Sequence, residues 1–235
     1  MGAHPFNIVY NWSPQKYIEL VENTSNSKLK EYEEKELEYI TTKIPALKTS
    51  TIIDVGAGYG RILPHLAPLT QNIVAVDINH NMFGELKRRT MKYPNVTAIQ
   101  GDASYLSKLL NRTKLTAPVI LSLQNSLGTW EGDPKKIIAE MKKIAHERQG
   151  EVIISLHRQK ALKTYGIEMF KSVEALVGKI DLRKTDFKKR IFRSKTGYLS
   201  KWWNDSEVKE IIKRLGGKKI KKIENPNFII INVVY

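Results

Sequence analysis

Thr51-Ile52-Ile53-Asp54-Val55-Gly56-Ala57-Gly58-Tyr59-Gly60 decides how this chain of 235 residues folds. The apolar run Thr51-Ile52-Ile53 reads as a short buried strand, and the glycines that follow read as the turn leaving it. Glycine lets a backbone turn tightly and approach a ligand where a side chain would block both. A strand followed by such a turn points to a nucleotide-like ligand. By itself the turn also fits an ordinary strand-to-helix connection, so the residues beyond it carry the decision.

Arg61 to Leu69 reads as a short helix, held to its first turns by Pro64 and Pro68. Ile73-Val74-Ala75-Val76 is a buried-type strand that ends in Asp77. A carboxylate at the tip of the second strand can accept hydrogen bonds from both hydroxyls of a ribose. A helix follows from about Asn81 to Lys92, and then a third strand, Val96 to Gln100, closed by Gly101-Asp102-Ala103. There an acidic side chain can bond an exocyclic amine while the backbone meets the edge of a purine.

The run Asp-x-Gly-x-Gly-x-Gly from Asp54 to Gly60, the strand-terminal Asp77 and the turn Gly101-Asp102-Ala103 together resemble class I S-adenosylmethionine-dependent methyltransferases. The resemblance covers residues 45–157, and the remainder only in layout. It implies S-adenosylmethionine as cofactor, with Asp54, Gly56, Ala57, Gly58 and Gly60 around the methionine part and Asp77 on the ribose. Asp102 and Ala103 fall at the adenine. Ile78 and Gln124, which follow the second and fourth strands, complete the expected cofactor set. A nicotinamide dehydrogenase would instead show Gly-x-Gly-x-x-Gly opening a long helix. Here the third glycine comes one residue early and prolines follow.

The fold implied is α/β: a doubly wound, mostly parallel sheet of seven strands in the order 3-2-1-4-5-7-6, the last strand antiparallel. Pro118 to Leu123 supplies the fourth strand and Val152 to Leu156 the fifth, with a helix between them capped by Asp133 and running from Pro134 to about Arg148. Ala161 to Val177 reads as an inserted helical region, and Phe187 to Phe192 and Gly197 to Trp203 as an extra strand pair. Asn204 or Asp205 caps a helix to Leu215, which Gly216-Gly217 ends. Lys218 to Ile223 and Phe228 to Val234 close the sheet. The expected organisation is one domain: a helical N-terminal extension or lid over 1–47, a cofactor half over 48–157 and an acceptor-side insertion with closing strands over 158–235.

In the extension, Leu29, Tyr32, Leu37 and Ile40, together with Glu36, fall near a helical period. One face should lie on the core and the charges should be solvated. Tyr10, Trp12 and Tyr17 are candidates for covering the cofactor.

Open α/β sheets place reacting groups outside the carboxyl ends of their strands, which here means Gln124-Asn125-Ser126-Leu127-Gly128. Methyl transfer is an in-line attack, so the protein must mainly aim a nucleophile and screen water; no metal is needed. The Asn-Pro-Pro-Tyr or Asp-Pro-Pro-Tyr tetrapeptide of nucleic-acid amino methyltransferases is absent. Asn125-Ser126 and His157-Arg158 are instead similar to pairs in glycine N-methyltransferase-type enzymes. That local similarity implies Asn125 at the substrate and Arg158 on a carboxylate, for which a guanidinium fork is suited. His157 is the candidate proton acceptor. The plain alternatives are an Asn125 that shapes a turn, a His157 satisfied at a strand end and an Arg158 facing solvent.

Zero cysteines exclude disulfides, thiolate metal sites and a cysteine nucleophile. There is no apolar run of membrane-span length, and Met1-Gly2-Ala3-His4-Pro5 lacks the blocks of a signal peptide, so a cytoplasmic location is expected. Lys and Arg total 39 against 24 Asp and Glu, a net charge of +15, with a basic stretch from Arg183 to Lys222. There Lys188-Lys189-Arg190, Arg193, Lys195 and Lys201 interleave with Phe187, Phe192, Tyr198, Trp202 and Trp203, a pattern that fits phosphates and stacked bases. Lysines along an edge strand also serve to block sheet-to-sheet pairing. The favoured partner is a small-molecule acceptor, an amine or carboxylate-bearing metabolite. The alternatives are an RNA or protein acceptor on the basic face and a cofactor-binding protein without catalysis. No membrane partner is expected, and the oligomeric state is left open.

Overall fold

The central strands of this chain are apolar on both faces, so the sheet they form has to be covered on both sides. The computed structural model describes residues 13–24, 26–44, 47–130 and 132–235. Its strands in chain order are β1 (Thr51–Val55), β2 (Asn72–Asp77), β3 (Val96–Gln100), β4 (Val119–Ser122), β5 (Glu151–His157), β6 (Ile191–Arg193), β7 (Leu199–Lys201), β8 (Lys219–Glu224) and β9 (Phe228–Val234). Seven of them form one sheet in the order β3-β2-β1-β4-β5-β9-β8, and β6 and β7 form a separate antiparallel ribbon. This is the expected order, because the ribbon takes numbers six and seven. β1 pairs in parallel with both β2 and β4, and β9 runs antiparallel to β5 and β8. The chain therefore reverses its winding between β1 and β4, which opens a crevice at the carboxyl ends of those strands.

Alternating side chains send the sheet into two apolar layers. Ile52 and Ile73 pack with Leu29, Tyr32 and Ile40 of helix α2 (Ser27–Lys43) and with Leu162, Phe170 and Trp202 of the insertion. Ile53 and Val74 pack on the other face, against Ile137 and Met141 of helix Pro134–Glu147 and Val208 and Ile211 of helix Asp205–Leu215. Asp133 caps the first of these helices by accepting the N–H of Lys135, with Pro134 in its first turn. Asn204, not Asp205, caps the second, in a reciprocal box with Glu207, and Gly216 ends it at φ 60°. Helix α1 (Pro14–Glu22) lies against helix His80–Thr90 and the insertion. Tyr10 and Trp12 lie outside the described residues.

The inserted helical region is found as a π turn at Leu162–Gly166 and short helices at Ile167–Ser172 and Glu174–Val177, and two other expectations need correction. Trp202 packs so closely on Gly166 that a β-carbon there would lie 2.7 Å from the indole. The extra strands shrink to three residues each. The aromatic rings of the basic stretch are not surface platforms: Phe192, Tyr198, Trp202 and Trp203 are buried, and Phe187 is half-buried beneath the Lys163 ammonium. Apolar burial of large rings outweighs any exposed stacking role. Among the described residues, no helix is long and apolar enough to cross a membrane.

Candidate active site

Gly56, Gly58 and Gly60 have φ of 77°, 57° and 85°, a left-handed conformation that costs any other residue conformational strain. The N–H groups of Gly56 and Ala57 both donate to the Val76 carbonyl, at 2.9 and 3.1 Å, which fastens the turn to the end of β2. Asp77 is then clamped from two sides. The Gly58 N–H donates to its Oδ2 and the Asn79 N–H to its Oδ1, each at 2.7 Å. A carboxylate has about four acceptor sites, so acceptor capacity remains for a ligand. Burial raises the pKa of Asp77, against the lowering effect of the Asn79, Gly58 and Ile78 backbone N–H groups.

One cleft opens above this turn. Asp54, Gly56, Ala57 and Gly58 line it from β1, Asp77 and Ile78 from β2, Asp102 and Ala103 from β3, and Gln124 from β4. Thus the tertiary structure gathers nine of the ten expected cofactor residues around one space. Gly60 stands just behind, where a β-carbon would lie 2.7 Å from the Leu63 side chain. Asp54 is buried, and burial pushes its carboxyl up to about 7, with Asp77 adding to the rise and Arg61 opposing it.

The same cleft is also lined by Tyr17 of α1, Arg61, Trp130 and Tyr198, which stands just before β7. Behind Arg61 lies a buried polar network that starts on α2. Contrary to the expectation of a solvated charge, Glu36 is 0% exposed. Its Oε2 accepts from Arg61 Nη2 at 2.6 Å, and its Oε1 accepts the Gln124 backbone N–H at 2.7 Å and the Ser155 hydroxyl. Tyr32 in turn donates its hydroxyl to Ser155 Oγ at 2.9 Å. One turn earlier, Glu33 accepts from the Gln124 side-chain amide, and burial pushes its carboxyl to about 7. A buried carboxylate is tolerated only when paired and hydrogen-bonded, and Glu36 is both.

The three expected catalytic residues stand apart from this cleft. Asn125, at φ 58°, turns the chain out of β4, and its side chain faces the ribbon. Its Nδ2 donates to the Lys201 carbonyl at 3.0 Å, and its Oδ1 accepts from Trp203 Nε1 at 2.9 Å and the His157 N–H at 3.3 Å. His157 is buried, with its ring stacked on Trp202 at 4.5 Å, and burial lowers its pKa to about 3. Arg158 donates to Asp205 Oδ1 at 2.5 Å and Glu224 Oε2 at 2.8 Å, two half-exposed carboxylates at the sheet rim. None of the three lines the cleft.

Sequence reasoning missed Arg61, Glu36, Trp130 and the cleft-facing position of Tyr198. For Glu36 a signal was available: it falls between Tyr32 and Ile40 at four-residue spacing, on the face of α2 that meets the core. An acidic residue on an apolar stripe asks for a buried partner, and Arg61 directly follows the last glycine.

Residues 52–147 match the family model described as a methyltransferase domain. No curated protein matches the sequence. Among solved structures, the chain is similar to magnesium protoporphyrin IX methyltransferase from Synechocystis PCC 6803 with bound SAH, at 15% identity and TM-score 0.60, over 94% of this chain and 93% of that one. An S-adenosylmethionine-dependent methyltransferase from Clostridium acetobutylicum matches at 15% identity and TM-score 0.60, over 94% and 96%. Burkholderia thailandensis 1,6-didemethyltoxoflavin-N1-methyltransferase, with its substrate and S-adenosylhomocysteine bound, matches at 13% identity and TM-score 0.50, over 99% and 92%. At these identities the structural likeness speaks for the fold.

Proposed function

We propose that this chain, whose residues 52–147 match a methyltransferase-domain model, is a class I methyltransferase that uses S-adenosylmethionine as methyl donor and a small molecule, an amine or a carboxylate-bearing metabolite, as acceptor. The observation that carries this reading is that Tyr17, Trp130 and Tyr198, from three separate elements, line the same cleft as the cofactor residues. Such a concave, partly aromatic lining suits a compact acceptor.

The residues present fit the cofactor. Asp77 keeps acceptor capacity for the ribose hydroxyls, Asp102 stands where it can meet the adenine amine, and the glycine turn leaves room for close backbone approach. When bound, S-adenosylmethionine supplies an electrophilic methyl group on a positively charged sulfur. Asp54, Asp77 and Glu33, with Glu36 behind them, give the cleft the negative field that suits such a cation. Burial raises the pKa of the Tyr17 and Tyr198 phenols, so both stay protonated and do not serve as bases. His157 is neutral and outside the cleft, which leaves it a packing role.

Labelled methyl transfer from S-adenosylmethionine into pooled metabolites, tRNA, rRNA and protein tests the proposal directly. Label is expected in the metabolite fraction. Label confined to RNA, with binding that weakens steeply with salt, would move the acceptor to exposed cations such as Lys184 and Lys189.

A further inference from the structure

Helix Pro134–Glu147 and helix Asp205–Leu215 lie side by side on the sheet face away from α2, held there by Ile137, Met141, Val208 and Ile211. Lys142 Nζ reaches across to donate to the Arg214 carbonyl at 2.9 Å, so the outer surfaces of the two helices are continuous. That surface carries Lys135, Lys136 and Lys143 from the first helix and Lys209 and Lys213 from the second, all exposed. Lys136 and Lys143 are two turns apart and Lys209 and Lys213 one turn apart, so each pair shares a helix face.

The carboxylates that could neutralise these lysines are engaged elsewhere. Glu140 accepts the Ser107 backbone N–H at 2.6 Å, Asp205 pairs with Arg158, Glu207 with Arg190 and Lys201, and Glu210 with Arg214. Among the described residues, none of the five lysines stands within ion-pair distance of a carboxylate. On the other side of the sheet, Lys28 and Lys35 of α2 are met by Glu31 and Glu38 at 3.5 and 2.6 Å. A face that serves solvation alone mixes both signs, as α2 does. A surplus of one sign builds a potential that draws in a polyanion.

The chemistry of the face narrows that polyanion. Neither helix contains a Phe, Tyr or Trp, and the exposed large apolar residues Ile78, Met91, Tyr105, Leu182 and Ile220 all lie outside both. A lipid surface asks for an apolar wedge and a protein partner for an aromatic or apolar centre, and the face offers neither. Single-stranded nucleic acid asks for rings on which bases stack. A base-paired backbone needs spaced cations alone. Both helices lie flat on the sheet, so neither enters a DNA major groove to read base edges, whereas duplex RNA is recognised by its shape and phosphates.

We propose that this face docks the phosphate backbone of a base-paired RNA, with these lysines as its phosphate contacts. The face begins at the rim of the cleft, since Ile137, next to Lys136, lines that cleft. The docking goes beyond the acceptor reading and does not depend on it: the protein is held on RNA whichever molecule receives the methyl group.

Fluorescence anisotropy on the full chain, with a labelled RNA duplex as probe, tests this. Wild-type affinity should fall on the order of a hundredfold between roughly 50 and 200 mM salt, as counterion release from about four phosphates requires. Lys136→Glu with Lys143→Glu, and Lys209→Glu with Lys213→Glu, should each weaken binding at least about tenfold, and the corresponding Gln pairs less, in the same order. Lys184→Glu with Lys189→Glu makes the same change of charge on the insertion and should stay within about twofold. Equal losses in all three Glu pairs would reduce the effect to net charge and overturn the proposal, as would wild-type binding in both helix pairs. A DNA duplex of the same sequence, or phosphatidylserine vesicles, bound as tightly as the RNA would overturn the assignment of the partner. Calorimetry with S-adenosylhomocysteine should give the wild-type affinity in every variant, which shows that each one folds and keeps its cleft. A wild type that binds the nucleoside but not the RNA duplex would overturn this inference alone and leave the cofactor reading standing.

Discussion

In one part of the cleft lining, Gly56, Gly58, Asp77 and Asp102 stand at or just after the ends of the adjacent strands β1, β2 and β3. In the other, Tyr17, Arg61 and Tyr198 come from an N-terminal helix, the glycine turn and the residue before β7, and Glu36 holds Arg61 from a second helix. The first set is mostly backbone and short side chains. The second is mostly long side chains with buried charge. Backbone sites tolerate little change in conformation but need few partners, whereas side-chain sites depend on distant elements docking correctly.

The largest effect is expected in the first set. Asp77→Ala should weaken S-adenosylmethionine binding by more than about a hundredfold, since it removes a charge-assisted acceptor for the ligand and releases the Gly58 and Asn79 N–H groups together. Calorimetry beside a melting curve checks this, and wild-type affinity in a folded variant would mean that the two sets do not differ as described.

A second expectation concerns pH. Burial holds Asp54 and Glu33 near 7, above their ordinary values of 3.8 and 4.5, so both are largely protonated in the free protein below that pH. A cationic ligand favours the ionised forms. Affinity for S-adenosylmethionine should therefore rise with pH through about 7 and level off above it, by up to about tenfold per unit. The same raised values mean that these two groups add stability to the ligand-free protein that is fully present below about pH 4 and lost as pH rises through 7. Asp54→Asn should flatten both dependences and raise the melting temperature at pH 8 by a few degrees. An unchanged slope in that variant would show that Asp54 does not titrate there.

The smallest effect is expected at the rim. Arg158 is engaged by Asp205 and Glu224, whose side chains are 61% and 44% exposed, and exposed pairs of this kind contribute little. Arg158→Ala should leave the acceptor Michaelis constant within about twofold and cost at most about 1 kcal/mol of stability. A large rise for a carboxylate substrate alone would return Arg158 to the site.

Reading the sequence located the strands well because their signals are local. Val96 to Gln100 is found at the same bounds, and the closing pair is found within a residue. The insertion was less legible. Its helical period is interrupted where Gly166 meets Trp202, a contact made across 36 positions that no local window contains. Arg61 and Arg158 show the same limit at the level of chemistry. Each follows a conspicuous motif, but one lies inside the cleft beside a fully buried carboxylate and the other at the rim between two half-exposed ones. Charge and spacing alone do not distinguish them; burial does.

What the sequence determined by itself was the donor half: the strand, the glycine turn and the acidic strand tips, because backbone conformation and ribose recognition are set within a few residues of each motif. The rest of the cleft lining was decided only by tertiary structure. Whether Asn125 meets a substrate or a tryptophan, and whether Glu36 meets water or a guanidinium, depends on which distant segment packs above it, and that is settled by burial of the whole core, not by the residues beside them.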